Sequence, residues 1–170
     1  RYASEYGYDI KIFHKLQADN ETIGSTLIRK KLEDGDIAKA NDLLGRNYFI
    51  EGTVIHGNAL GRTLNMPTAN IVPDKSKLLL PSGVYASKVK IEGDSQVYKG
   101  VTNVGRKPTI GRYDIGVETC LLDFDRDIYG KKITVEFYEH IRHEKKFPGL
   151  DELKNQMEKD KERARHILKK

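Results

Sequence analysis

From Asn47 to about residue 143, apolar and polar residues alternate in short runs rich in aromatic and β-branched side chains, the period of half-buried strands. The runs 48–56, 66–72, 83–92, 96–104, 115–124 and 132–141 are predicted strands. Turn signals separate them at Pro81-Ser82-Gly83, Glu92-Gly93-Asp94, Lys107-Pro108 and Tyr129-Gly130. Brief turns between short strands favour a closed antiparallel barrel of six strands over an open sheet, because closure leaves no unpaired edge. Asp125 to Gly130 is the predicted hairpin connection between the last two strands.

The flanks have a different period. Tyr8 to Phe13 alternates like a short strand, and Asn20-Glu21 marks a turn. Ser25 or Thr26 can cap a helix running to about Glu33, with Leu27, Ile28 and Leu32 on one side. Asp36 can cap a second helix carrying Ile37, Ala40, Leu43 and Leu44, with Gly45 just past its end. These pieces are too small to build a core of their own. After Pro148-Gly149 a long helix is predicted, whose broken apolar stripe is Leu150, Leu153 and Met157, then Ala164, Ile167 and Leu168. It should pack on the outside of the barrel or across one mouth.

Composition narrows the function classes. The chain has 38% hydrophobic and 32% charged residues, as soluble globular domains do. No apolar run approaches the ~20 residues that span a bilayer, and the start carries no signal-peptide pattern. Cys120 is the single cysteine, which excludes an internal disulfide, makes a reducing cytoplasm the simplest home and suits a small buried hydrophobe. The formal charge of +5 suits an anionic partner, either nucleic acid or a phosphorylated small molecule. The cations are scattered, and no basic motif interleaved with aromatics offers a stacking platform for single-stranded bases.

Two stretches carry candidate chemistry. Gly57 to Asn70 follows a predicted strand, and its two glycines, Gly57 and Gly61, bracket a turn that begins at Asn58 and is followed by Arg62. Such a loop can turn bare backbone N–H groups toward phosphate oxygens. Its spacing departs from a Walker A loop, and a hairpin loop whose glycines merely permit positive φ is the alternative. In an extended Pro67-Thr68-Ala69-Asn70, Thr68 and Asn70 share a face. Their neutral oxygens suit a magnesium ion that keeps several waters and shares a substrate's phosphates. In the second stretch, strict alternation puts Glu118 on one face with Cys120, Leu122 and Phe124. Burial among apolar neighbours makes a carboxylate a stronger base; a glutamate hydrogen-bonded at a barrel rim is the alternative. His140 and His143 lack a metal-ligand pattern and read as surface residues.

Together these motifs resemble the riboflavin kinase family, in its order, over roughly residues 46 to 168. Gly-Arg-Thr-Leu-Asn-Met-Pro-Thr-Ala-Asn, within Gly52 to Asn70, is similar to that family's nucleotide loop and Pro-Thr-Ala-Asn signature. Pro81 to Ala86, Asn103 to Thr109, Val117 to Phe124 and Ile141 to Phe147 also resemble it. Ile23-Gly24-Ser25-Thr26-Leu27-Ile28-Arg29 is similar to a late motif of the adenylyltransferase half of bacterial bifunctional riboflavin kinase/FAD synthetases, with Gly24 in place of the usual serine. The resemblance implies that residues 1–45 are a remnant of that half and a helical linker, and that residues 46–170 are the kinase domain.

It further implies a six-stranded antiparallel Greek-key β-barrel with a C-terminal α-helix, preceded by a short helical linker segment. The implied activity is transfer of the ATP γ-phosphate to the ribityl 5′-hydroxyl of riboflavin, giving FMN and ADP, in the cytoplasm and with no nucleic acid or membrane as partner. In the full-length protein the implied neighbour is an N-terminal FMN adenylyltransferase domain; FAD synthesis is not expected from these residues alone. Carried over by position, Glu118 is the base, and Thr68 and Asn70 hold Mg2+ or Mn2+ with the terminal phosphates. Gly57, Asn58, Gly61 and Arg62 cradle the nucleotide, while Asn103, Arg106, Pro108, Thr109 and Arg142 meet the flavin. Thr68, Asn70 and Glu118 should gather at one barrel opening. The rival readings are a flavin-binding or regulatory module without chemistry and a basic β-barrel that binds oligonucleotides.

Overall fold

The structure, a computed structural model, describes residues 2–12, 14, 16–18, 21–57, 66–106 and 115–169. Six antiparallel strands close into a barrel: β3 (Tyr48–Ile55), β4 (Thr68–Ile71), β5 (Gly83–Ile91), β6 (Val97–Arg106), β7 (Ile115–Leu121) and β8 (Lys132–His143), in the spatial order β3-β4-β7-β6-β5-β8. β5, β6 and β7 form a meander and β8 returns to lie beside β5, which is the Greek-key arrangement. The six expected barrel strands, their Greek-key arrangement and the C-terminal helix are all present.

Alternation sorts the side chains between two sides of one wall. Ile50, Val54, Ala69, Ile71, Tyr85, Val89, Val104, Val117, Leu121, Ile133, Val135 and Phe137 are buried in one core cluster. Ser87, Thr102 and Thr119 are also fully buried, and their hydroxyls join across β5, β6 and β7 at 2.7 and 2.9 Å. Each polar group there has a partner, so burial does not leave it unsatisfied.

Before the barrel come α1 (Tyr2–Tyr6), a two-residue hairpin of β1 (Gln17–Ala18) and β2 (Glu21–Thr22), α2 (Ser25–Glu33) and α3 (Ile37–Leu44). The strand expected over Tyr8 to Phe13 is absent from the described residues 8–12, where Tyr8, Ile10 and Ile12 are exposed. Alternation needs a paired neighbour to become a strand, and this stretch has no ladder. α2 is capped by the extended backbone of Gly24 without a side-chain bond, so Ser25 opens the helix instead of capping it. α3 follows its expected signals: Asp36 accepts from the Lys39 N–H, and Gly45 ends the helix with φ 66°. Leu32, Ile37 and Ala40 join the barrel core.

The C-terminal helix α4 (Leu150–Ile167) lies on the outside of the barrel, where Ala164 and Leu168 pack with Ala86, Val101, Tyr138 and Ile141. No helix among the described residues is long and apolar enough to cross a membrane. At the β5–β8 edge, His140 is partly buried, not a surface residue. Its ring lies against Tyr85 (5.0 Å), and its Nε2 is buried without a hydrogen-bond partner. A Cβ on Gly83 would approach that nitrogen to 2.6 Å, so this crowded corner requires glycine.

Burial, and then the neighbouring His143, hold the His140 imidazole below its ordinary value. The unfolded chain therefore takes up a proton near pH ~6.5 while the fold resists it. The contribution to stability is whole above that pH and is lost as pH falls through the lower folded value. Thermal melts at about pH 7.5 and about pH 5 should show a larger drop for the natural sequence than for His140→Phe.

Candidate active site

The site grows from one row of the antiparallel register. Asn70 of β4 pairs with Glu118 of β7, and Glu118 pairs with Asn103 of β6. Ala69, Ile71, Val117, Thr119, Thr102 and Val104 occupy the alternating buried positions, so Thr68, Asn70, Glu118 and Asn103 all project outward. Thr68, Asn70 and Glu118 do gather, on the outward face of the wall rather than inside a barrel opening. The Thr68 hydroxyl donates to Glu118 Oε1 at 2.5 Å, the short distance of a hydrogen bond to a carboxylate. Because its proton is committed to Glu118, the lone pairs of Thr68 Oγ1 remain to face a cation.

Glu118 shares its face with Cys120 but not with Leu122 and Phe124. β7 stops at Leu121, Asp123 turns the chain with φ 55°, and Phe124 packs edge-on against Tyr98 at 4.9 Å. Cys120 is buried, and that burial pushes its thiol up, as for a small hydrophobe.

Gly57 presses on the row from above: a Cβ there would lie 2.5 Å from Asn70 Nδ2 and 2.8 Å from its Oδ1. Only bare backbone fits against that amide, which is itself 5% exposed. Asn58, Gly61, Arg62, Pro108 and Thr109 lie outside the described residues, and of Arg106 only the backbone is described, at the end of β6. Asn103 Nδ2 donates to Glu144 Oε1 at 3.4 Å, and the Glu144 carboxylate fills the space that a side chain on Gly105 would need.

Arg142 is occupied elsewhere. Its guanidinium grips Asp160 of α4 through Nε (3.0 Å to each oxygen) and through Nη2 (2.7 Å), and Nη1 donates to the His143 carbonyl. Asp160 is 3% exposed and also accepts from Gln156. The structure thus places Arg142 as the latch of α4.

Beside Thr68 opens a cavity of about 410 Å³ lined by Val54, Pro67, Phe124, Arg126, Ile128 and Tyr129, among others. The Tyr129 ring stacks on His56 with centroids 3.8 Å apart. The sequence reading treated residues 125–130 only as a connection. The signal in the sequence is three bulky apolar residues, Phe124, Ile128 and Tyr129, crowded into a turn region; all three are partly buried against the barrel core.

For a metal, the described residues hold no cluster of three His, Cys, Asp or Glu side chains. The donors gathered there are the Thr68 hydroxyl, the Asn70 amide oxygen and the Glu118 carboxylate. That set fits a hard cation that brings its remaining oxygens as water and phosphate.

The fold and this outer wall define a small Greek-key β-barrel protein with one polar row beside one apolar cavity. Residues 44–168 match the family model described as riboflavin kinase, and the chain belongs to that family. It is 45% identical over 153 residues to the bifunctional riboflavin kinase/FMN adenylyltransferase of Bacillus subtilis, covering 88% of this chain and 48% of that protein. It is 42% identical over 163 residues to the protein of the same description from Haemophilus influenzae, covering 96% and 52%. The chain spans about half the length of the curated relatives it matches.

A solved structure described as a macrolide-efflux protein from Streptococcus pneumoniae aligns with a TM-score of 0.86 at 33% identity, over 96% of this chain and 53% of that one. Riboflavin kinase from Trypanosoma brucei aligns with a TM-score of 0.53 at 23% identity over 72% and 77%, and shares the fold.

The Arg142–Asp160 pair yields a stability test. Removing one partner of a buried ion pair leaves an uncompensated charge and costs about 3–5 kcal/mol. Urea denaturation of Asp160→Ala should show a loss of that order, and Arg142→Met/Asp160→Leu should recover most of it.

Proposed function

We propose that this chain is an ATP-dependent riboflavin kinase that moves the γ-phosphate of ATP to the ribityl 5′-hydroxyl of riboflavin, releasing FMN and ADP. The observation that carries the reading is the row Asn70–Glu118–Asn103 with Thr68 bonded to Glu118. It sets a phosphate-side pair next to a proton acceptor and continues into polar groups on the far side. Phosphoryl transfer asks mainly for alignment and charge neutralisation, with one group orienting the nucleophile.

In this reading the donor's nucleoside lies in the cavity beside Thr68, and its terminal phosphates lie against Thr68, Asn70 and the backbone at Gly57. Thr68 Oγ1 and Asn70 Oδ1 would hold Mg2+ or Mn2+, which when bound supplies charge neutralisation to the phosphates. The Thr68 hydroxyl fixes the Glu118 carboxylate before substrate arrives. Glu118 accepts the 5′-hydroxyl proton as that oxygen bonds to the γ-phosphorus, and the bridging oxygen leaves on ADP. The ribityl chain then extends over Asn103 toward Glu144, where hydroxyl, amide and carboxylate groups can pair. The isoalloxazine ring lies toward the α4 side, and Arg142 contributes by fixing that helix.

The relatives named as bifunctional are about twice as long, which supports reading residues 1–45 as the end of an adenylyltransferase unit and its linker. FMN adenylyltransferase activity is then a property of the longer protein, and a cytoplasmic setting agrees with the single buried thiol of this chain.

Chromatographic detection of FMN from riboflavin and Mg-ATP tests the reading. Glu118→Gln keeps the shape but accepts no proton, and kcat should fall on the order of 10²–10⁴-fold; near-normal turnover would sink the role of Glu118. Asn70→Ala should raise the KM for Mg-ATP, and Gly57→Ala should do the same, because its Cβ displaces the same amide. Asn103→Ala should raise the KM for riboflavin several-fold while leaving the KM for ATP within about twofold, since a lost neutral hydrogen bond is worth about 0.5–1.5 kcal/mol.

A further inference from the structure

The turn between β5 and β6 reaches across to the connection between β7 and β8, and the two meet at Arg126. Asp94 of the turn accepts from the Gln96 N–H at 2.9 Å, from the Tyr98 hydroxyl at 2.8 Å and from Arg126 Nη2 at 2.5 Å. Arg126 Nη2 also donates to the Tyr98 hydroxyl. The guanidinium sits 5.0 Å from the Phe124 ring centre and 5.5 Å from that of Tyr98. A planar cation is thus clamped along one edge by a carboxylate and backed by aromatic rings, yet its side chain is 56% exposed. The Gln96 N–H first, then Arg126 and Tyr98, hold Asp94 at about 2, so the clamp stays charged through the working pH range.

Arg126 stands in the wall shared by two cavities, the one beside Thr68 and a smaller one of about 290 Å³ lined also by Asp94, Asp127 and Lys131. Three carboxylates, Asp94, Asp125 and Asp127, surround the two cations Arg126 and Lys131. Their fields leave no net positive charge to attract a polyphosphate, so this end suits a neutral flat ring. Guanidinium groups stack on such rings, and carboxylates accept the amino N–H groups that ring edges carry.

We propose that Arg126, held in place by Asp94, is a specificity-determining residue for the phosphate donor: its exposed face stacks on the nucleobase in the cavity it lines with Thr68 and favours purine over pyrimidine triphosphates. The inference rests on the reading that the donor's nucleoside occupies that cavity. A two-ring base covers more of the guanidinium plane than a one-ring base does, which gives the preference its direction.

The test compares ATP with CTP as donors for FMN formation by the whole chain. Natural protein should prefer ATP. Arg126→Ala should raise the KM for ATP on the order of tenfold, the range of a lost stacking contact. The KM for riboflavin should stay within about twofold, and the ATP-to-CTP ratio should shrink toward one. Arg126→Lys keeps the charge without the plane and should resemble Arg126→Ala. If Arg126→Ala melts early, Arg126→Met, which keeps the stem on Phe124, gives the same reading. An unchanged ATP KM and donor ratio in Arg126→Ala, natural-like behaviour of Arg126→Lys, or a natural protein indifferent to the base would each overturn the role of Arg126 and leave the kinase reading standing. Absence of FMN from the natural protein would overturn the kinase reading itself.

Discussion

The two-residue pleat of a closed barrel decides where each polar group can stand. In β7, Val117, Thr119 and Leu121 go in, so Glu118 and Cys120 go out. Slipping the register by one residue would exchange the two sets. It would drive the Glu118 carboxylate into the core and carry Thr119 out of its buried hydroxyl bond with Thr102. An unpaired buried charge costs far more than the barrel can spare. The pairing of Asn70, Glu118 and Asn103 is therefore enforced by the hydrophobic side of the same strands, and the site's geometry is a by-product of core packing.

Around this row, the covering parts approach more closely than side chains normally allow. Gly57 and Gly105 are the points of approach, one against the Asn70 amide and the other against the Glu144 carboxylate. α4 supplies a further boundary. Its apolar stripe breaks where Asp160 turns inward, and the break is compensated by Arg142 rather than by another methyl group. Together with Arg165 on Asp123 at 2.7 Å and Arg163 on Glu139 at 2.9 Å, the pair fixes α4 in direction as well as in depth, which apolar contacts through Ala164 and Leu168 alone do not.

The barrel was legible because its information is local. Period-two alternation and the turn residues recover the six strands to within a few residues, and Asp36 and Gly45 mark both ends of α3. Glu118 was legible as a carboxylate on a strand with Cys120 on the same face; that the face points out of the barrel follows only from the paired strands. The partner of Glu118 was not legible, since the Thr68 bond crosses 50 residues and alternation says nothing about which strands become neighbours. Arg142 was read through its motif as a ligand contact, whereas its partner Asp160 lies on another element that only the packed helix brings near. The face of Glu118 was drawn too long because Asp123 takes a left-handed backbone that its residue type tolerates but does not announce. Asp94 and Arg126 are illegible for a similar reason: each sits in a turn, where residue type marks a change of direction and not a partner.

The boundary near residue 45 looks different once packing is weighed. Leu32, Ile37 and Ala40 share a core with Ile50, Val54 and Phe137. Asn41 accepts the Tyr48 N–H at 2.7 Å and donates to the Phe137 carbonyl at 2.9 Å, tying α3 to both β3 and β8 at the end of the barrel. A cut at residue 45 would expose this apolar patch and break both hydrogen bonds between that amide and the backbone. In energetic terms α2 and α3 are parts of the barrel, whatever their descent, and the stretch that lacks a core of its own ends before Gly24, where Tyr8, Ile10 and Ile12 still face solvent. The six strands therefore depend on helices that the linear sequence assigns to a neighbour, because a sheet closed on itself still has two open ends to cover.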